Sequence, residues 1–130
     1  MKLNTKQQVL VAIYMEYQKD IPDMSLINAE KLGIGQIEFN TAIDKLQNEG
    51  YINGVIFIRG GDTPIPLDVL LAETKITRDG LHYIEKKLTI EANLSGEEKV
   101  RNILEKVGSW GFTQLKEIAS KTLAEVIKGM

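Results

Sequence analysis

A mainly α fold with a small β-wing is what this chain predicts, on three observations. Phe39, Ala42, Ile43 and Leu46 recur at i, i+3, i+4 and i+7, the stripe of a helix with one buried face. A short helix ending near Gly33 precedes that stripe across the turn Ile34-Gly35-Gln36. The β-rich segment Tyr51 to Ile58 follows Gly50 at once and runs into Arg59-Gly-Gly-Asp-Thr-Pro-Ile-Pro66, where glycines and prolines forbid a regular strand. Helix, turn, helix, strand and flexible loop in that order describe a winged helix-turn-helix at residues 1–88. A C-terminal helical extension, 89–130, completes the chain.

Each element has its own signal. Thr5 and Gln8 form a capping-box pattern, so the first helix is predicted from about Lys6 to Gln18, with Leu10, Ile13, Tyr14 and Tyr17 at helical spacing and Pro22 beyond its end. The second spans about Asn28 to Leu32, and the third runs from Gln36 to Glu49, where Gly50 stops it. A returning strand is expected from Leu70 to Ile76, with Leu70, Ala72, Thr74 and Ile76 on one side and Leu71, Glu73 and Lys75 on the other. Thr77 caps a helix from Arg78 to about Lys87 that buries Leu81, Ile84 and Leu88, and Thr89 to Leu94 is a connection. Ser95 and Glu98 form a second capping box, and the helix after them, with Val100, Ile103, Leu104 and Val107 in register, ends at Gly108. Leu115, Ile118, Ala119, Thr122 and Val126 mark a last helix from Thr113 to Lys128.

Composition narrows the function. A chain of 130 residues with 43% apolar content can bury a core without covalent staples. It has no cysteine, which excludes disulfides and thiolate metal sites, and a lone His82 excludes an imidazole zinc cluster, so neither metal nor cofactor is expected. The apolar run Val9 to Met15 is far short of the roughly 20 residues that cross a bilayer, and its flanks Gln7, Gln8 and Glu16 do not suit a signal peptide. A cytoplasmic protein without a membrane partner is the expectation. Net charge is −2, with 10 basic and 12 acidic residues up to Lys87 and 6 of each after it, so any nucleic-acid binding must come from local placement.

Three stretches resemble a known family: Leu32-Gly-Ile-Gly-Gln-Ile-Glu-Phe39, Leu46-Gln-Asn-Glu-Gly-Tyr-Ile52 and Ile76-Thr-Arg-Asp-Gly-Leu-His-Tyr-Ile84. Through them residues 5–88 resemble the YjcQ family of small bacterial and prophage winged-helix proteins. The resemblance implies the fold, a cytoplasmic location and a DNA-binding or transcription-regulating role. It supplies no catalytic or ligand-binding residues.

Winged helices usually offer their second motif helix to the DNA major groove. The outward face of Gln36 to Glu49 is expected to hold Glu38, Asn40, Thr41, Asp44, Lys45 and Asn48. Asn40 and Asn48 suit adenine edges, Thr41 a thymine methyl or phosphate, and Lys45 guanine or phosphate. Arg59 at the wing base suits a narrow minor groove. Lys2, Lys6, Lys31, Lys45, Arg59 and Lys75 would line one side, and four phosphate contacts would give a salt slope of about −3 to −4 in log units. Carboxylates at 38 and 44 oppose this by repelling phosphate. The alternative is a protein-interaction module, of the phage-type inhibitor or adaptor kind, that docks the acidic helix or the wing on another protein.

Such weak electrostatics would favour a homodimer on double-stranded DNA. Trp110 and Phe112 in the connector, with Leu115, Ile118 and Val126 on the last helix, are the expected interface; the plainer expectation is that these helices pack back on the first one. No enzyme is expected. His82 sits beside Leu81 and Tyr83 as a structural residue, Glu97-Glu98 suit a helix N-terminus, and Gly60-Gly61-Asp62 lacks the lysine and hydroxyl of a phosphate loop.

Overall fold

The structure, a computed structural model, describes residues 1–129. Helix α1, Thr5–Tyr17, is capped one residue earlier than the sequence pattern suggests. The Gln7 N–H donates to Asn4 Oδ1 at 2.8 Å and the Asn4 N–H donates back to Gln7 Oε1 at 2.9 Å, while Gln8 turns to the Leu3 carbonyl. Every residue from Val9 to Glu16 is buried, whereas Tyr17 is exposed. A helix apolar all round must be enclosed on all sides. The enclosure comes from α3 (Gln36–Asn48), α4 (Arg78–Leu88) and α6 (Thr113–Lys128), all of which pack on α1.

A single 3-10 turn, Met24–Leu26, which periodicity does not reveal, leads into α2, Ala29–Leu32. Asn28 caps α2 by accepting the Lys31 N–H, and Gly33 closes it in the left-handed region at φ 68°. On α3, Phe39, Ala42, Ile43 and Leu46 all point inward, as their spacing requires.

The wing is two short antiparallel ladders in place of two continuous strands. Strand β1 (Ile52–Asn53) pairs with β4 (Lys75–Ile76), and β2 (Ile56–Ile58) pairs with β3 (Asp68–Leu70). Gly54, at φ 81°, kinks the outgoing strand, and any side chain there would collide with the Glu73 carbonyl. A turn closed by the Thr74 N–H on the Leu71 carbonyl interrupts the returning strand. That turn shifts the expected alternation: Leu71, Thr74 and Ile76 are buried, and Leu70 and Ala72 are exposed.

Thr77 joins the wing to the helices, accepting the Gly80 N–H as the α4 cap and donating its hydroxyl to the Gly50 carbonyl at 2.6 Å. Helix α5, Gly96–Ser109, starts at a Ser95 cap and runs past Gly108; the break falls at Gly111, φ 83°. The ammonium of Lys106 reaches back to the Leu88 carbonyl at 2.7 Å, tying α5 to the end of α4. Between them, Glu85 accepts the buried Tyr14 hydroxyl at 2.9 Å and the Lys99 ammonium at 3.0 Å.

One hydrophobic core runs through the whole chain, and Val100, Ile103, Val107, Leu115, Ala119 and Val126 belong to it. The last two helices thus pack back on the first part of the chain, the plainer of the two expectations. Of the residues expected at a two-fold interface, Leu115 and Val126 are shut inside this core, while Trp110, Phe112 and Ile118 are half-buried at its edge. The cause is α1, whose far side would meet water without α6.

Candidate functional site

The presented part of the winged helix is α3 with the β2–β3 hairpin beside it. Of the five residues expected to touch DNA, Asn40 is 2% exposed and corrects the reading of an outward face. Its Nδ2 donates to the Pro66 and Leu67 carbonyls at 3.3 and 3.2 Å, and its Oδ1 accepts from Gln36. Asn40 therefore straps the wing to α3. Thr41 spends its hydroxyl on the Ile37 carbonyl at 2.8 Å.

Arg59 is half exposed and lies beside α3. Its guanidinium lies 3.4 Å from the Asp44 carboxylate and stacks over Phe57, 5.0 Å from the ring centre. Lys6 is likewise taken, paired with Glu49 at 2.7 Å. Lys45 and Asn48 remain exposed on α3 as expected, with Glu38 on its first turn.

The wing offers something else. Ile56 stands opposite Leu70, and Ile58 opposite Asp68, so these four share one face of the hairpin. Phe57 and Val69 occupy the other face, which is the covered one. Ile56, Ile58, Leu67 and Leu70 keep between 44% and 61% of their surface open to solvent. Isolated exposed leucines are ordinary, but several on one short hairpin form a patch of the kind found at interaction sites. From Gly54 to Glu73 the wing carries one arginine, already paired, against Asp62, Asp68 and Glu73.

Backbone donors at two points of the hairpin are blocked by side chains. The Val55 N–H donates to Gln47 Oε1 at 3.0 Å and the Val69 N–H to Asp68 Oδ1 at 2.8 Å. These contacts oppose addition of a further strand and leave the apolar side chains as the accessible feature. Sequence reading missed this patch, although Val55-Ile56-Phe57-Ile58 is apolar at every position. A two-stranded wing has one helix behind it, so one side of such a strand must stay open.

The model of the YjcQ family, described as YjcQ protein, matches residues 8–103. The chain belongs to the YjcQ family. The match passes the resemblance expected to stop at residue 88 and reaches into α5, which agrees with a core shared across that point. No curated protein and no solved structure matches the chain. Among the described residues no helix is long and apolar enough to cross a membrane.

Proposed function

We propose that this YjcQ-family chain is a protein-interaction module of the winged-helix class, docking through the outer face of its wing. The observation that supports it is the open apolar set Ile56, Ile58 and Leu70, bordered by Asp68 in an acidic hairpin. A partner of matching chemistry presents apolar side chains flanked by lysine or arginine. A DNA role has less to draw on, since Asn40 is buried, Arg59 pairs with Asp44 at the surface, and α3 carries Glu38 as well as Asp44. Its specific support is the exposed pair Lys45 and Asn48.

The test places a photo-crosslinking residue at Ile58 of the full chain in its native host, with Arg101 on the exposed side of α5 as control. A protein adduct at 58, absent at 101 and lost with Leu70→Lys, is the expected result. Random duplex titrated at low salt should show no binding. Salt-sensitive duplex binding that is lost in Lys45→Ala, with no protein adduct at 58, overturns the proposal in favour of a DNA-binding regulator.

A further inference from the structure

A cavity of about 260 Å3 is enclosed by the end of α1, the 3-10 turn, α2 and α6. Its floor is apolar, made by Ile27, Leu32 and Ile118. Two carboxylates and three ammonium groups stand around it. Glu16 is buried and already satisfied, since its Oε2 accepts the Lys19 ammonium at 3.0 Å and the Asp23 N–H at 2.9 Å. Lys31 on α2 and Lys121 on α6 have no carboxylate partner among the described residues, and Glu125 is the one acid left at the rim.

Thr122 adds a hydroxyl to the lining. It is 4% exposed and lines the cavity, yet its hydroxyl makes no hydrogen bond to the described residues. With the Glu16–Lys19 pair set aside, Lys31 and Lys121 face Glu125 among the lining residues, and Asp23 lies near enough to Lys31 to feel its charge.

We infer that this cavity binds a small amphipathic monocarboxylate. The apolar body rests on Ile27, Leu32 and Ile118. The carboxylate is held by Lys31 and Lys121, with the Thr122 hydroxyl donating to it. The volume is just below the usual range of small-molecule sites, which limits the ligand to an acid about the size of octanoate. The site goes beyond the proposed docking face and stands or falls separately from it.

Octanoate, octanol and inorganic phosphate titrated into the full-length 15N-labelled chain test the inference. Octanoate should shift the amides of α2 and the middle of α6 saturably, octanol should bind at least about tenfold more weakly, and phosphate should produce no saturable shift. Losing one charge-assisted contact, as in Lys31→Gln or Lys121→Gln, should weaken octanoate about tenfold, and Thr122→Val several-fold. Ile118→Trp should fill the cavity and abolish binding; the surface lysine variants keep the test valid if that variant does not fold. Absence of saturable shifts with octanoate, equal binding of octanol, or unaltered affinity in both lysine variants overturns the inference.

Discussion

Helix α1 and the β2–β3 hairpin are both built from dense apolar sequence, and they meet opposite fates. Val9 to Met15 disappears from solvent entirely, while Ile56, Ile58 and Leu70 stay about half open. The difference is the number of neighbours that each can recruit. The helix has a partner on every side, from α3, α4 and α6; the hairpin has α3 behind it and water in front. Apolar content alone therefore does not tell core from contact surface in this chain. The count of covering layers does.

The sharpest way to break this comparison is to remove a layer. A chain ending at Leu88 lacks α6, and its α1 is left with an uncovered apolar side; thermal melting by circular dichroism should lose its cooperative transition. A sigmoidal melt from that fragment would mean that α1 needs no such cover. Next in size is Ile13→Ala, at a fully buried position, which should cost about 2–5 kcal/mol in urea unfolding.

Tyr14→Phe probes the polar contact on the same helix and should cost about 1–2 kcal/mol at neutral pH, because Glu85 loses a buried donor. It should also change the alkaline limb. Burial, helped by the hydrogen bond and the charge of Glu85, raises the Tyr14 hydroxyl above its ordinary value. A folded-state pKa above the unfolded one gives stability that is complete below about pH 10 and is lost as pH rises further. Urea midpoints should fall above about pH 10 in the wild type and fall less in the phenylalanine variant.

The smallest stability effect belongs to the wing. Ile56→Ser with Leu70→Ser removes one cross-strand pair and should shift unfolding by no more than about 1 kcal/mol. The same double variant should lose the protein adduct at position 58. A loss as large as that of Ile13→Ala would show that the hairpin's outer face is core after all.

Much of the fold could be read from the chain because its signals are local. The stripe on α3, the caps at Thr77 and Ser95, and the stop at Gly50 each depend on neighbours in sequence. What escaped depends on distant partners. Asn40 lies beside polar residues on α3, and nothing nearby says that carbonyls 26 and 27 residues away will claim its amide. Arg59 is withdrawn by Asp44, across 15 positions. The role of the last helices had a local clue in the unbroken apolar run of α1, which asks for cover on all sides as plainly as it argues against a membrane span.

Asp68 and Gln47 carry a consequence for how the protein behaves when crowded. An apolar hairpin with free backbone donors is a seed on which identical chains can stack into fibrils. Here a carboxylate and an amide already occupy the Val69 and Val55 donors. A chain carrying Asp68→Val frees the Val69 donor and should associate faster at high concentration, read by light scattering.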